Sequence, residues 1–418
     1  MSAFITLLED VSLKVAMEKP SIAMDRPNPK PPFDYPIQDI TLMRVDPWKE
    51  CIEKSGYDID NEERCEKILE GIQYGVRIDY TGAREVGRYA INQPNALSDP
   101  VVKLKVTKII EEDVSKGKKA GPFSSRPFPN LFCSPIGAVP KKGGNGVRVV
   151  HNLSAPLGHS INDEVIAISC SLGKVDDATN AIKKFGRGCF LVKLDVEAAY
   201  KQVAVHPDDR HLLGFTWEGK YYFELSLPFG LRSSCRIWEW FATALHFFFE
   251  KLLDVPVVVH YIDDFLFVIQ TKERAHMLLN KALTLCVVLG IPLSAAKIEG
   301  PATLLPFLGI ELDTNTLEIR LPKVKLEELK ELLIKWRDKR YASVRQLQSL
   351  AGKLNHAARM VRSGRSYLRR IIDQSTRMLK EFNRPKQPYS CHRIQLDGEW
   401  WIRHIESWNG TSMMIDEH

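Results

Sequence analysis

Three aspartates have the spacing and setting of a site for divalent metal ions. Asp263 and Asp264 lie between two β-rich segments, Val255–Tyr261 and Leu266–Ile269, which predict a hairpin with both acids at its tip. Adjacent carboxylates there cost free energy through desolvation and mutual repulsion unless cations neutralise them. Asp195 ends a further apolar strand, and three carboxylates on neighbouring strand ends could hold two Mg²⁺ ions about 3.5–4 Å apart, as in phosphoryl transfer. An isolated Asp-Asp pair is also common in ordinary turns, so the pair alone is weak support.

The surrounding pattern predicts the mixed α and β elements that would position these acids. Phe190–Leu194 and Tyr221–Leu225 have the composition of strands, and Pro228-Phe229-Gly230 ends the second. Ile136–Val139 and Val147–Val150 are predicted to form a strand pair joined by a basic, glycine-rich loop. Helix boundaries are marked by a capping residue or a glycine at Ser233, Thr271, Gly290 and Ser343. The helix that begins after Ser233 is predicted to carry an apolar face of Ile237, Phe241, Leu245, Phe248 and Leu252.

The composition is that of a globular protein, with 418 residues, 44% hydrophobic content and a net charge of +6. The sequence has no apolar run long enough to span a membrane. The N-terminus carries acidic residues where a signal peptide would be apolar, so we expect an intracellular protein, cytoplasmic or nuclear. The 8 cysteines lie far apart, without a Cys-x-x-Cys pair. A zinc site or a disulfide framework therefore has little support, and reduced thiols are expected.

Positive charge is concentrated near the C-terminus. The segment from Arg320 to Lys386, here called the basic lobe, has 19 Lys/Arg and 6 Asp/Glu, a local charge of +13 that leaves −7 for the rest of the chain. Leucines at helical spacing and a capping box at Ser343-x-x-Gln346 predict helices there. A basic helical lobe suits a polyanion such as nucleic acid, although a solvated helical surface has a similar composition.

Taken in order, the motifs around the three aspartates resemble the palm motifs of reverse transcriptases. The segments that carry this resemblance are Leu194-Asp195-x-x-x-Ala199-Tyr200, Leu227-Pro228-Phe229-Gly230-Leu231, Tyr261-Ile262-Asp263-Asp264, Gly290-Ile291-Pro292 followed by Lys297, and Phe307-Leu308-Gly309. Upstream, Pro140-Lys141-Lys142 and Arg148 resemble the fingers motifs that hold the incoming triphosphate. The resemblance covers roughly residues 120–375.

Within that family, the sequence motifs are most similar to those of retrotransposons that carry a tyrosine recombinase, the DIRS type. The phrases that carry this similarity are Ala120-Gly121-Pro122-Phe123, Ser134-Pro135-Ile136-Gly137-Ala138-Val139-Pro140-Lys141-Lys142, Leu153-Ser154-Ala155-Pro156, Ser160-Ile161-Asn162-Asp163, Gly352-Lys353-Leu354 and Gly364-Arg365-Ser366-Tyr367-Leu368-Arg369-Arg370. Related retroelements share many of these sequence motifs.

The resemblance implies an α+β fold of the right-hand polymerase type, with fingers, palm and a helical C-terminal thumb and connection. It implies an RNA-directed DNA polymerase whose partners are an RNA template, a DNA primer or RNA–DNA hybrid, and dNTPs, with no membrane. Asp195 and Asp263 would be the principal metal ligands, with Asp264 supporting. Two Mg²⁺ ions, or Mn²⁺, would activate the primer 3′-hydroxyl and stabilise the departing pyrophosphate.

The same resemblance assigns residues to the incoming nucleotide. Tyr200 would place its ring under the sugar and exclude a 2′-hydroxyl, although a core tyrosine is the alternative. Lys141, Lys142 and Arg148 would pair with the triphosphate, Arg148 in a bidentate manner. Which of the two lysines does so is open, and a loose basic loop is the alternative.

The remaining assignments concern the template, the leaving group and the primer. Gly230 would permit close approach of the template–nucleotide pair, and Phe229 would pack beside the nucleotide or fill the core. Lys297 is a candidate general acid for pyrophosphate, with a surface lysine as the alternative. Phe307-Leu308-Gly309 would be the primer grip.

These assignments predict an order of domains along the chain. The predicted ranges are an N-terminal extension at 1–100, disordered in part at 1–45, a fingers-rich part at 101–189, a palm at 190–310 with a fingers segment near 206–226, a thumb at 311–375, and a connection at 376–418. Trp400-Trp401 and Trp408-Asn409-Gly410 resemble the lead-in to a ribonuclease H domain, which the 8 residues that follow cannot hold. We therefore expect a piece of an element's polyprotein or a truncated copy.

One segment departs from the sequences of related elements. Arg232-Ser233-Ser234-Cys235 stands where related elements usually have Arg-Ser-Ala-Pro, a change expected to alter a helix start and leave the metal ligands in place. A catalytically inactive or repurposed fragment that only binds nucleic acid is the main alternative. An RNA-templated RNA polymerase is disfavoured by Tyr200 and by Tyr261-Ile262-Asp263-Asp264. Primer and template preference and oligomeric state are not predicted.

Overall fold

The computed structural model describes residues 31, 34–83, 95, 97, 99–141, 146–361, 363–382, 388–390 and 392–412. The chain divides into two compact units. The first unit comprises Met1–Leu172, Leu194–Phe265 and Met277–Ile298, and the second comprises Gly173–Lys193, Leu266–His276 and Glu299–His418. The predicted division into fingers, palm, thumb and connection stays a prediction.

The described elements alternate between helix and strand along most of the chain. The helices are α1 (Ile37–Ile40), α2 (Val45–Ser55), α3 (Glu62–Tyr74), α4 (Pro100–Ser115), α5 (Val175–Phe185), α6 (Ser234–Lys251), α7 (Lys272–Val288), α8 (Lys323–Arg337), α9 (Val344–Ala357), α10 (Gly364–Phe382) and α11 (His392–His404). The strands are β1 (Lys119–Phe123), β2 (Ile136–Pro140), β3 (Val147–His151), β4 (Phe190–Asp195), β5 (Gly214–Trp217), β6 (Lys220–Glu224), β7 (Val258–Tyr261), β8 (Asp264–Ile269), β9 (Glu299–Ala302), β10 (Leu304–Phe307), β11 (Ile310–Asp313), β12 (Glu318–Arg320), β13 (Tyr341–Ser343), β14 (Pro388–Ser390) and β15 (Thr411–Ser412).

In the first unit, β1, β6 and β5 form an antiparallel sheet in that order. The strands β2 and β3 pair antiparallel with Ala138 opposite Val149, which confirms the predicted strand pair. Residues 142–145 of the connecting loop, among them the predicted triphosphate ligand Lys142, lie outside the described residues.

Helix α6 forms the core of the first unit. Its predicted apolar face is confirmed by the burial of Ile237, Phe241, Leu245 and Phe248. Trp48 packs edge-on against Phe241 and Phe248, and its indole Nε1 donates a hydrogen bond to the Leu289 carbonyl at 2.9 Å. Large buried aromatic rings of this kind supply much of the apolar area that stabilises a core.

Strands β4 and β8 each contribute to both units. In the first unit, the hairpin β7–β8 lies beside the end of β4, and the tip of this hairpin carries Ile262 and Asp263. In the second unit, the other end of β4 pairs antiparallel with β9, with Leu191 opposite Ala302. The predicted hairpin around Asp263 and Asp264 is therefore confirmed.

The second unit contains the sheet β10–β11–β12–β15 and the helices α8 to α11. The capping box predicted at the start of α9 is present, because the Ser343 hydroxyl accepts from the Gln346 amide at 3.3 Å and the Gln346 side chain accepts from the Ser343 amide at 3.1 Å. Leu329 and Leu333 of α8 are buried, as their helical spacing predicted. No helix in the described ranges is both long and apolar enough to cross a membrane.

One local prediction is wrong, and one stays a prediction. The Ser233 hydroxyl does not cap α6, because it donates to the Ile78 carbonyl at 2.9 Å and leaves the first amides of the helix without a side-chain acceptor. Of the segment 1–45, predicted to be partly disordered, residues 1–30 and 32–33 lie outside the described residues, whereas Ile37–Ile40 forms α1.

Candidate active site

The predicted acids are brought together by backbone hydrogen bonds around the end of β4. The Val196 amide donates to the Asp263 carbonyl at 2.8 Å, which joins the end of β4 to the hairpin tip. On the other side, the Ser294 amide donates to the Asp195 carbonyl at 2.8 Å. The end of β4 therefore lies between the hairpin β7–β8 and the segment that leads to Lys297.

Asp195, Asp263, Asp264 and Lys297 form a group that we call the acidic cluster. Asp195 is 4% exposed, and the Lys297 ammonium contacts its two carboxylate oxygens at 2.9 and 2.8 Å. Partial burial alone would lower the pKa of Lys297, but the hydrogen bond and charge of Asp195, with further contributions from Asp263 and Asp264, raise it. The ammonium is therefore held in its charged form by three carboxylates.

Burial disfavours the ionised form of Asp263. Burial raises the pKa of this carboxyl, and the neighbouring charge of Asp195 adds to the effect. Lys297 and Arg148 act in the opposite direction without reversing the shift. A half-buried carboxylate whose ionised form is disfavoured in this way is typical of functional sites.

The acidic cluster consists of hard oxygen donors, which fit a divalent cation such as Mg²⁺ or Mn²⁺. Within the described ranges, however, no three His, Cys, Asp or Glu side chains are gathered closely enough to hold a metal ion as they stand. Asp195 instead directs both oxygens at Lys297. The excess of carboxylates over ammonium and the raised pKa of Asp263 are consistent with a further cation at this position.

Helix α6 fixes the hairpin that carries two of the acids. Ile262, a β-branched residue, adopts a left-handed backbone conformation with φ of 57° at the hairpin tip. Such a conformation is uncommon and persists where the surroundings enforce it. The Trp238 indole donates to the Ile262 carbonyl at 2.8 Å, and Glu239 contacts the His260 ring at 2.8 Å. The turn is thus held from the α6 side.

A row of aromatic and cationic side chains lies in the same unit. The rings of Tyr200 and Phe229 have their centroids 5.2 Å apart, and the Arg148 guanidinium lies 4.7 Å from the centre of the Phe229 ring. Burial, together with the neighbouring Cys235 thiol, raises the pKa of the Tyr200 hydroxyl, which therefore stays protonated. The structure thus brings Arg148, Phe229 and Tyr200 into one contiguous surface.

Gly230 is required by a contact within the chain. Its φ is 110°, and a Cβ there would lie 1.9 Å from the His151 carbonyl oxygen. Asn162 clamps the same turn, because its amide group donates to the Gly230 carbonyl at 2.8 Å and accepts from the Arg232 amide at 2.8 Å. This packing explains the glycine, while its predicted approach to a template–nucleotide pair stays a prediction.

Lys141 lies in the first unit, and the predicted primer grip lies in the second. Lys141 is exposed at the end of β2. Phe307, Leu308 and Gly309 belong to the second unit, where they form the tight turn between β10 and β11 with positive φ at Leu308 and Gly309. The Lys325 ammonium donates to the Gly309 carbonyl at 3.0 Å. The turn predicted as the primer grip is therefore a fixed hairpin of its unit.

Sequence reasoning missed Asn162 and Cys235 as neighbours of the site. Asn162 lies in the motif Ser160-Ile161-Asn162-Asp163, which indicated only a resemblance to DIRS-type elements. Its hydrogen bond to the Gly230 carbonyl joins residues that are 68 positions apart in sequence. In the sequence, Cys235 is distinguished only as part of the segment that departs from related elements. No local signal predicts either contact, because both depend on the packing of distant segments.

Comparison with solved structures identifies the fold. The foamy viral protease-reverse transcriptase dRH in complex with ds DNA is similar at a TM-score of 0.61 and 17% identity, covering 96% of this chain and 64% of that chain. The foamy viral protease-reverse transcriptase in complex with RNA/DNA hybrid is similar at a TM-score of 0.60 and 16% identity, covering 96% and 49%. At this identity the likeness concerns the fold, which is that of a polymerase.

Comparison of the sequence with protein families is more specific. Residues 139–312 match the family model described as reverse transcriptase (RNA-dependent DNA polymerase). The genome polyprotein of Petunia vein clearing virus (isolate Shepherd) is 29% identical over 210 residues, and polyprotein P3 of Commelina yellow mottle virus is 28% identical over 177 residues. The matches cover 50% and 42% of this chain and 9% of each polyprotein. Residues 139–312 thus match a reverse transcriptase domain, and the chain is similar to part of these viral polyproteins.

Proposed function

We propose that the chain is an RNA-directed DNA polymerase that adds deoxynucleotides to a primer 3′-hydroxyl with two divalent metal ions. The observation that carries this proposal is the acidic cluster, which lies inside the matched reverse transcriptase domain. Asp195 pairs with the Lys297 ammonium, Asp263 and Asp264 add to the negative charge that acts on it, and burial raises the pKa of Asp263. This is the charge distribution that a cation-dependent phosphoryl-transfer site requires.

Asp195 and Asp263 would hold the metal ions, with Asp264 supporting. Bound Mg²⁺ or Mn²⁺ would favour deprotonation of the primer hydroxyl and stabilise charge on the pyrophosphate. Lys297 would release Asp195 as the cation arrives, since both positive charges use the same carboxylate oxygens. Its exposed and protonated ammonium would then serve as the proton donor for the leaving pyrophosphate.

The row formed by Arg148, Phe229 and Tyr200 would receive the nucleotide. Arg148 is exposed at the start of β3, so its guanidinium can turn from the Phe229 ring to the triphosphate, with Lys141 nearby in sequence. Tyr200 and Phe229 support one another, which would hold the Tyr200 ring against the sugar and exclude a 2′-hydroxyl.

The nucleic-acid partners are proposed from charge and from similar structures. The foamy viral enzymes were solved with ds DNA and with RNA/DNA hybrid. The basic lobe supplies 19 Lys/Arg for sequence-independent contacts with phosphates, and Phe307-Leu308-Gly309 would hold the primer. We propose an RNA template, a DNA primer and dNTPs as the substrates.

We also propose that the chain derives from a tyrosine-recombinase retrotransposon of the DIRS type. The phrases at Ser160-Ile161-Asn162-Asp163 and Gly364-Arg365-Ser366-Tyr367 support this origin. A tyrosine recombinase reading frame next to this sequence in its genome would support it, and an adjoining integrase of the retroviral kind would overturn it.

Primer extension tests the polymerase directly. Purified chain is incubated with a poly(rA) template, an oligo(dT) primer, dTTP and Mg²⁺, and extension is measured against the variant Asp263→Asn. We expect metal-dependent extension by the wild type and a loss of about 10⁴-fold or more in the variant, as for other removed catalytic groups. Asp60→Asn, an exposed aspartate elsewhere in the first unit, is the matched control and should retain full activity. Salt-sensitive nucleic-acid binding without extension would overturn the proposal in favour of a binding-only protein.

A further inference from the structure

Two cysteines that are far apart in sequence have their thiols in contact. The Sγ atoms of Cys170 and Cys235 are 3.4 Å apart, both in the first unit. Among the cysteines whose side chains are described, these two are partly exposed and the others are buried. The buried cysteines are Cys51, Cys65, Cys133, Cys189 and Cys286. An oxidant in solution therefore meets this pair before the other described thiols.

We propose that Cys170 and Cys235 are a reversible modification site, at which a peroxide forms a disulfide beside the pocket for the incoming nucleotide. The thiol of one cysteine attacks the peroxide oxygen, which gives a sulfenic acid and one molecule of water. The second thiol then attacks the sulfenic sulfur, forms the S–S bond and releases a second water. Two thiols and one hydrogen peroxide thus yield one disulfide and two waters, and the peroxide takes up the two electrons.

The geometry permits this bond with a small movement. A disulfide requires the sulfur atoms to be about 2.05 Å apart, so they must approach each other by about 1.4 Å. Cys235 is fixed in the first turn of α6, whereas Cys170 lies in residues 166–174, which contain no helix or strand. The segment that carries Cys170 can therefore supply most of the displacement.

Oxidation would change the surroundings of Tyr200. The Cys235 thiol is a neighbour of the Tyr200 hydroxyl in the reduced protein and contributes to its raised pKa. The disulfide removes the thiol hydrogen and draws the sulfur toward Cys170, so the surroundings of the Tyr200 hydroxyl change. Because the Tyr200 ring packs on Phe229, this change reaches the proposed nucleotide pocket. This consequence rests on the proposed nucleotide pocket, whereas the disulfide itself does not.

The acidity of the pair sets the expected rate. Burial, with the hydrogen bond to Cys235, raises the pKa of Cys170 to about 11. The thiolate is the reacting form, so little of it is present at neutral pH and oxidation should be slow there. Below the pKa the thiolate fraction rises about tenfold for each unit of pH, and the rate should follow it from pH 7 to pH 9.

Peptide mapping tests the site. The full chain is treated with hydrogen peroxide, its remaining thiols are alkylated after unfolding, and the peptides are analysed without reduction. We expect a linked peptide pair containing Cys170 and Cys235, with two hydrogens lost, while the 5 buried cysteines are recovered alkylated. Dithiothreitol should restore both thiols, and Cys170→Ser and Cys235→Ser should each abolish the link.

A second measurement tests the effect on the nucleotide. Peroxide should raise the KM for dTTP several-fold in the wild type, reversibly with dithiothreitol, and leave Cys170→Ser unaffected. Separate sulfinic acids on the two cysteines, or links to other chains, would overturn the proposal. An unchanged KM in fully linked protein would overturn the effect on the pocket. A chain that forms the link and never extends a primer would refute the polymerase and leave the modification site in place.

Discussion

Two clusters of charged side chains in the first unit neutralise their charge in different ways. The acidic cluster has three carboxylates and one ammonium group, that of Lys297, which contacts Asp195 and is largely exposed. A second group, which we call the closed cluster, consists of Lys119, Lys201, Glu224 and Asp113, and it has as many ammonium groups as carboxylates. Neighbouring residues of one short turn, Tyr200 and Lys201, contribute to the proposed pocket and to the closed cluster respectively.

The closed cluster satisfies each charge inside the fold. Glu224 is 1% exposed, forms a salt bridge with Lys119 and accepts from the Lys201 ammonium at 2.8 Å. Burial alone would raise the pKa of Glu224, but the two ammonium groups hold it well below its usual range. Such a group is complete without a ligand, so its role is structural.

The difference between the clusters lies in the pKa of their carboxyl groups. Both contain buried carboxylates paired with lysine, so an ion pair alone does not distinguish them. In the closed cluster the pKa of the carboxyl is lowered, whereas burial raises the pKa of Asp263 in the acidic cluster. A carboxyl group whose ionised form is disfavoured by the fold is one whose ionised form a bound metal ion can stabilise.

The largest effect is expected from breaking the closed cluster. Glu224→Gln leaves two buried ammonium groups with one carboxylate between them, and we expect the free energy of unfolding to fall by about 3–5 kcal/mol. Because the pKa of Glu224 is lowered in the folded state, its contribution is present above the unfolded pKa and is lost as the pH falls through the folded value. Urea denaturation at pH 7, and at pH values from 4.5 downward, measures the loss of stability and its pH dependence.

The matched control is Glu218→Gln, an exposed glutamate of the turn between β5 and β6. This change should alter the free energy of unfolding by less than about 0.5 kcal/mol. If Glu224→Gln were as mild as the control, the closed cluster would not be the structural counterpart that we describe.

An intermediate effect is expected from the neighbouring residues Tyr200 and Lys201. Tyr200→Ala removes the ring that we propose lies under the sugar, so discrimination between dTTP and UTP should fall by about 10–200-fold, the range for a lost steric contact in a pocket. Tyr200→Phe keeps the ring and should keep the discrimination. Lys201→Met should instead lower stability, since Lys201 contacts Glu224. Steady-state incorporation of each nucleotide separates the two outcomes, and unchanged selectivity in Tyr200→Ala would refute the gate.

The sequence predicted the parts of this comparison that depend on local pattern. The hairpin at Asp263, the strand that ends at Asp195 and the apolar face of α6 follow from alternation, helical spacing and turn residues, and the structure confirms each. The roles of these acids came from a resemblance, and as metal ligands they stay predictions.

The contacts that decide the electrostatics could not be predicted in the same way. The pairing of Lys297 with Asp195 spans 102 residues, and that of Lys119 with Glu224 spans 105. Each depends on the packing of segments that share no local pattern. The thiol contact between Cys170 and Cys235 is a further example, since wide spacing of cysteines indicated only that they were reduced. The contacts between these charged groups and between these thiols can therefore be identified only once the fold is known.

The smallest effect, and the most direct test of the comparison, is expected from Asp263→Asn in EDTA. Because burial raises the folded pKa of Asp263, its stabilising contribution is fully present below the unfolded pKa and is lost as the pH rises through the folded value. Asparagine has no such loss, so the variant should be more stable than the wild type at pH 7 by about 0.5–2 kcal/mol, as for other relieved functional sites. The difference should shrink as the pH falls toward the range in which the carboxyl is protonated. The difference for Glu224→Gln should shrink as well, but it has the opposite sign, because that variant is less stable than the wild type. Mg²⁺ should then stabilise the wild type more than the variant. A variant that is less stable than the wild type at pH 7 without metal would show that Asp263, like Glu224, is neutralised by the fold itself.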